Sequence, residues 1–189
     1  MILGITGGTG CGKTTLLKEI EARGGLVLDC DAVYHELLTR DMELLNAIEH
    51  RFPGVVVDKK LERKKLGAIV FNDEAALRDL NAITHGAIRA EIVRRLSENP
   101  PLAAIDAIAL FEGGLAHLCD TTVAITAPRA ERVQRLMKRD GISAEYAENR
   151  INAQKSESWF REMCDHTLHN DGTQAQFREK CSVFLDNIL

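Results

Sequence analysis

The sequence lacks any apolar run near the roughly 20 residues a membrane span needs. Its five cysteines (Cys11, Cys30, Cys119, Cys164 and Cys181) form no close pair. That excludes a disulfide framework and zinc-type spacing, and fits free thiols in a reducing cytosol. There is no excess of positive charge: 24 Lys+Arg against 28 Asp+Glu give a net of −4. A nucleic-acid partner held by phosphate neutralisation is therefore not expected. Repeats and low-complexity linkers are absent, and Met1-Ile2-Leu3-Gly4 does not open like a secretory signal. What remains is an ordinary globular composition, 45% hydrophobic and 28% charged over 189 residues. A chain of this length buries about 70% of its unfolded surface and needs no covalent staple.

The organisation is α/β. Ile2 to Ile5 reads as a buried strand, followed by a glycine-rich turn and a helix from about Lys13 to Arg23 that Gly24-Gly25 stops. Leu26 to Leu28 is a second strand, short and uniformly apolar as parallel sheets require. From Asp31 to about Asn99 no strong strand is evident, and helices are expected near 31–40, 41–51, 63–71, 74–82 and 84–97. Strands resume at Leu102 to Leu110 and Thr121 to Ile125. Helices follow from Pro128 to Asp140, over 144–154, and briefly after Ser156. A weak strand at Thr167 to His169 and a last helix over 173–188 complete the chain.

Gly7-Gly8-Thr9-Gly10-Cys11-Gly12-Lys13-Thr14 fits G-x-x-x-x-G-K-[ST] at every fixed position, between a strand and a helix. Glycines let successive N–H groups turn toward phosphate oxygens, and the helix adds its positive end. Lys13 can reach the β and γ oxygens, and the Thr14 hydroxyl can ligate Mg²⁺. The residues expected against ATP are Gly8, Thr9, Gly10, Cys11, Gly12, Lys13, Thr14 and Thr15. A GTPase would need a guanine-reading N-K-x-D, which is absent. Motor and transporter ATPases are usually longer, so a small kinase remains.

Asp29 and Asp31 lie at the end of the second strand, where open α/β sheets bind ligands. Strand alternation points them alike: one suits a general base, the other, Asp29, the magnesium side. Alternatively Asp31 is an N-cap. Asp106 reads as mid-strand, and Glu112, before Gly113-Gly114, as the acid at the strand's carboxyl end. Arg132, Arg135 and Arg139 share one helix face, with Arg150 on the next helix: a lid over a triphosphate, or solvated arginines. Cys11, at a helix N-terminus among phosphate-binding amides that would lower a thiol pKa, is a candidate redox-sensitive thiol; alternatively it is a small residue merely replacing Ser. His166 and His169 do not read as a metal site.

These residues together resemble the dephospho-coenzyme A kinase family. The likeness covers ILGITGGTGCGKTT at 2–15, Asp-x-Asp at 29–31, LERKKLGAIVFNDEAALRDLNAITH at 61–85 and IDAIALFEGG at 105–114. It continues through APRAERVQRLMKRDGIS at 127–143, RINAQ at 150–154 and HNDG at 169–172. The chain departs from the family pattern at Cys11, Gly86, Ile108 and the stretch after Gln154. The resemblance implies a five-stranded parallel P-loop kinase core (1–31 and 100–189), a helical acceptor insertion (32–99) and a helical lid (129–155). It implies Mg²⁺-dependent transfer from ATP to the ribose 3′-hydroxyl of dephospho-CoA by a cytoplasmic monomer. In that reading Lys13, Asp31, Arg139 and Arg150 are catalytic, with Asp31 the base. Arg63, His85 and Glu112 serve the acceptor, and Asn170 and Gly172 lie near adenine. The alternatives are a kinase of another small alcohol, or an ATP-binding regulatory protein that has lost transfer.

Overall fold

The computed structural model describes residues 1–189 and divides them into two compact units. One comprises Met1–Leu28 with Asn99–Leu189, the other Asp29–Glu98. The division at Leu28 assigns Asp29 and Asp31 to the second unit.

The first unit is built on a five-stranded parallel sheet. Its strands are β1 (Ile2–Thr6), β2 (Leu26–Asp29), β5 (Ala103–Asp106), β6 (Thr121–Thr126) and β7 (His166–His169), in the order β2-β5-β1-β6-β7. Strand β1 is central, pairing in parallel with β5 on one side and β6 on the other. Side chains alternate across the sheet. Leu3, Ile5, Ala104, Val123, Ile125 and Leu168 share a core with helices α1 (Lys13–Ala22) and α9 (Gln174–Ile188). From α9 come Phe177, Cys181 and Leu185, each at most 2% exposed. A capping box of Thr173 and Gln176 starts α9.

After β6 the chain forms α6 (Arg129–Asp140), α7 (Ala144–Asn152) and α8 (Glu157–Met163). Helices α6 and α7 make a hairpin with its own apolar seam of Val133, Leu136, Ala147 and Ile151, against which Ile142 packs. Gly141 ends α6 in the left-handed region (φ 66°), and Ser143 caps α7 through the Tyr146 N–H.

Strand β5 is shorter than the apolar run suggests. It ends at Asp106, and 107–114 turn instead. Thr6 Oγ1 donates to the Ile108 carbonyl at 3.2 Å, while Leu110 is fully buried in the turn. The apolar run thus continues as a packed loop, and the acid at the strand's carboxyl end is Asp106, not Glu112.

The second unit contains α2 (Cys30–Arg40), α3 (Met42–Arg51), a two-stranded hairpin of β3 (Val56–Val57) and β4 (Lys60–Leu61), α4 (Arg63–Val70) and α5 (Glu74–Leu96). The hairpin was not expected. Its turn residues Asp58 and Lys59 both have positive φ (50° and 61°), without the glycine that usually announces such a turn. Glu49 fastens its entry by accepting from the Gly54 and Val56 N–H groups. Helix α5 is one element, not two. Gly86 keeps its N–H in the helical ladder, and Thr84 directs its hydroxyl to the Leu80 and Asn81 carbonyls.

Glu91 of α5 ties this unit together. It is 7% exposed and accepts from Arg40, Arg94 and Arg95. The Arg94 bond, with those of its neighbours, holds its carboxyl down at about 2. Glu91→Gln should lower unfolding free energy by about 2 kcal/mol, the scale of a buried bond to a charged group. The wild-type contribution is present above the ordinary carboxylate value and is lost as pH falls through about 2. Urea denaturation at pH 7 and at low pH tests both; equal stability of wild type and variant at pH 7 would refute the role.

Candidate active site

The phosphate loop, Gly7 to Thr14, joins β1 to α1. Most helices here have an Asp, Ser or Thr cap, whereas α1 starts from Gly12 with no side-chain cap. Its first-turn N–H groups are left for an incoming anion. Gly12 adopts φ 98°, and a Cβ there would overlap the Asn170 amide. At Gly8 a Cβ would run into the Arg132 guanidinium. Glycine is required at both positions by close approach, and at Gly12 by conformation too.

The loop's carbonyls are satisfied from outside. Lys13 Nζ donates to Gly7 O at 3.2 Å, and Arg132 Nε to Thr9 O at 2.9 Å. Arg135 Nη1 lies 3.3 Å from Gly10 O and 3.4 Å from Cys11 O. Asn170 Nδ2 donates to Cys11 O at 2.9 Å. The Thr9 N–H donates to Gln154 Oε1 at 2.8 Å, and the same oxygen lies 3.4 Å from Arg132 Nη2. Arg132 and Arg135, read from the sequence as lid or solvated arginines, thus brace the loop, and so does Gln154, to which the sequence reading gave no role. Their signal was there: α6 carries arginines every three or four residues, the spacing of one face. Arg132 is 8% exposed and bonds no carboxylate; burial lowers its pKa. A buried cation held this way lends the loop a positive potential that is little screened.

Asp106 lies 3.7 Å from the Lys13 ammonium, both side chains about 15% exposed or less. The Thr14 side chain is exposed at the start of α1. Its hydroxyl and the Asp106 carboxylate are hard oxygen donors, of the kind Mg²⁺ takes beside substrate phosphates. Glu112 is exposed in the turn beyond β5. Asn170 is 6% exposed and braces the loop, while Gly172 is exposed beside it. Gly172 lines a cavity of about 350 Å³ with His169, Asp171, Gln176, Phe177 and Lys180. Thr15 lines another, also with Thr14, Lys18, Gln174 and Arg178.

Cys11 does not match its expectation. It is 1% exposed and turned into the core beside Leu16 and Ile125, not toward phosphate. Burial pushes its thiol up, outweighing the pull of Lys13 and Arg132.

In the second unit the alternation argument for Asp29 and Asp31 fails, because the strand has ended. Asp29 is the N-cap of α2, its Oδ1 accepting from the Asp31 and Ala32 N–H groups at 2.9 and 3.1 Å. Asp31 lies in the first turn, exposed, and is not the cap. One turn on, His35 lies on the same face. The Arg63 guanidinium sits 3.3 Å from His35 Nδ1. The structure therefore gathers Asp31, His35 and Arg63 around one face of α2. Tyr34 stands at this face too, its hydroxyl pKa raised by burial against the pull of Arg63. His85 lies within α5, half-buried.

Residues 1–176 match the family model for dephospho-CoA kinase. The chain is 32% identical to a dephospho-CoA kinase of Latilactobacillus sakei, covering 98% of this chain and 95% of that protein. To one of Anaeromyxobacter dehalogenans it is 35% identical, over 99% and 92%. Among solved structures, the dephospho-CoA kinase of Campylobacter jejuni matches with a TM-score of 0.69 at 27% identity, over 99% of this chain and 96% of that one. A Thermus thermophilus protein reaches 0.83 at 32% identity, over 100% and 98%.

With Cys11 buried, a charged thiol reagent should leave it unmodified in the native protein at pH 8, with or without ATP. Unfolding in denaturant should release it. Peptide mass spectrometry after timed labelling reads the site directly. Rapid native labelling of Cys11, suppressed by ATP, would restore the redox-sensor reading.

Proposed function

Because the chain belongs to the dephospho-CoA kinase family, we propose that it transfers the γ-phosphoryl group of ATP to the ribose 3′-hydroxyl of dephospho-CoA, giving CoA and ADP. It is a kinase of CoA biosynthesis. The observation that carries the reading at the site is the uncapped α1 N-terminus with its carbonyls braced from outside and Lys13 held between Gly7 O and Asp106.

The roles follow from the chemistry. Gly8 to Thr15 enclose the triphosphate, with the loop N–H groups that are not taken up by Gln154 or by the loop's own turns meeting phosphate oxygens. Lys13 leaves Gly7 O for the β and γ oxygens and stabilises charge as it moves between them. The buried Arg132 adds positive potential behind the loop, where it is little screened. Thr14 and Asp106, with Asp29, would supply the oxygens that hold Mg²⁺, and the metal would neutralise charge on the β and γ phosphates. Asn170 fixes the loop, and Gly172 leaves room beside the adenine. Arg139 and Arg150 fork onto the transferring group.

On the acceptor side, Asp31 takes the proton of the attacking hydroxyl. A ribose hydroxyl is a weak nucleophile and must lose its proton in the transfer, and an exposed carboxylate at the start of α2 is available for it. Arg63 and His85 bind phosphate and polar groups of dephospho-CoA, with Glu112 a further acceptor contact.

ADP release should be measured with dephospho-CoA, nucleosides and shikimate as acceptors; turnover with a nucleoside but not with dephospho-CoA would overturn the acceptor assignment. Asp31→Asn should lower kcat by on the order of 10²-fold, the low end for acid–base groups because phosphoryl transfer is loose. ATP binding should change little. Restoration of rate by excess Mg²⁺ would instead make Asp31 a metal-side group. Lys13→Ala should lose kcat and not only affinity. Arg139→Lys should cost on the order of 10³-fold if the fork matters. Activity within about threefold of wild type would place Arg139 outside the mechanism.

A further inference from the structure

Arg139 and Arg150 are joined in the structure by one carboxylate. Asp140, the last residue of α6, receives Arg139 Nε on Oδ1 at 2.7 Å and Arg139 Nη2 on Oδ2 at 3.0 Å. Its Oδ2 also accepts from Arg150 Nη1 at 2.6 Å. The Asp140 side chain is 24% exposed, less than the guanidinium-bearing side chains it holds, at 59% and 40%.

Each guanidinium has five N–H donors, and Asp140 uses only some of them. Arg139 keeps Nη1 free, and Arg150 keeps Nε and Nη2. A planar group held along one edge presents the other in a defined plane. Two cations brought this close repel unless a negative charge stands between them. Asp140 supplies that charge throughout the neutral range, since Arg139 and Arg150 hold its carboxyl at about 2.

The hairpin has ties other than this carboxylate. Its seam of Val133, Leu136, Ala147 and Ile151 is apolar, Gly141 turns the chain and Ser143 caps α7. Arg129 separately ties α6 to Glu148 and Asn152 of α7. Asp140 is thus not the sole tie of the joint, and its side-chain bonds go to the two arginines rather than to backbone.

We propose that Asp140 is a positioning residue for phosphoryl transfer: it sets Arg139 and Arg150 side by side, offsets their repulsion and turns their remaining N–H edges outward as a paired seat for phosphoryl oxygens. The inference rests on the reading that both arginines act on the transferring group.

The test is steady-state kinetics on Asp140→Asn, alone and in an Arg139→Lys background, with melting temperatures of each. The amide keeps the shape but loses the charge, and its NH₂ cannot accept the bonds that Arg139 Nη2 and Arg150 Nη1 give to one oxygen while the other oxygen receives Arg139 Nε. With saturating dephospho-CoA, kcat should fall about 10- to 100-fold, as when an outer partner of a working residue is removed. KM for ATP should move less than about threefold, because the loop holds the triphosphate. In the Arg139→Lys background the same change should cost less than about threefold, since the pair is already broken. Asp140→Glu, which keeps the charge, should recover part of the loss. An Asp140→Asn enzyme with wild-type kcat, while Arg139→Lys and Arg150→Lys are slow, overturns the Asp140 inference alone. A lowered melting temperature with unchanged kcat overturns it too and makes Asp140 a helix joint. Fast Arg139→Lys and Arg150→Lys enzymes would instead defeat the reading beneath it.

Discussion

A phosphate loop must point its N–H groups inward, and its carbonyls must then be satisfied from outside. That constraint organises the first unit. Donors reach the loop from several parts of the chain. Lys13 comes from the loop's own helix, Arg132 and Arg135 from α6, Asn170 from the end of β7, while Gln154, after α7, takes up the Thr9 N–H. Strand order brings these parts together: β1 neighbours β6, and β6 neighbours β7, so the carboxyl ends of these strands deliver α6 and Asn170 to the loop. The glycines belong to the same requirement. A side chain at Gly8 or Gly12 would occupy the space through which Arg132 and Asn170 arrive.

The phosphate loop was legible because its residue types are dictated by backbone chemistry, and so was the parallel core, since buried strands are uniformly apolar. Three features were not. The β3–β4 hairpin lies behind positive φ at Asp58 and Lys59, residues that tolerate the left-handed region less readily than glycine. The end of β5 was hidden because an apolar run continues through Leu110 as packed loop, so composition could not mark Asp106 as the terminal acid. Helix α5 was split at Ile83 because β-branched and glycine residues weaken a local pattern that burial of Ala76, Thr84 and Ile92 overrides.

At the site, sequence named candidate residues but not the orientation of their side chains. Cys11 stands in an anion-binding loop, but its side chain is turned to the sheet, so desolvation governs its thiol rather than the helix N-terminus. Asp29 and Asp31 are two apart in sequence, but the change from strand to helix between them removes the alternation that would align them. One becomes a cap and the other an exposed first-turn carboxylate. In both cases the missing information was tertiary: which face a backbone turns inward.

The arginines of α6 separate by depth, which sequence spacing alone could not reveal. Arg132 is 8% exposed and bound to the loop, Arg135 is 33% exposed by side chain and reaches Gly10 and Cys11, and Arg139 is 59% exposed with Asp140. Seven residues of helix carry this gradient over about 10 Å, at 1.5 Å per residue. The base of α6 is therefore fastened to the loop and the tip is not. A rigid swing of α6 would strip the Thr9 and Gly10 carbonyls of their donors and leave Arg132 without its bonds. Rotation of the Arg139 and Arg150 side chains on a fixed helix costs none of these. For a chain of net charge −4 that must hold a polyanion, this arrangement keeps the positive charge local: buried cations stay at the loop, and the exposed pair is balanced by Asp140.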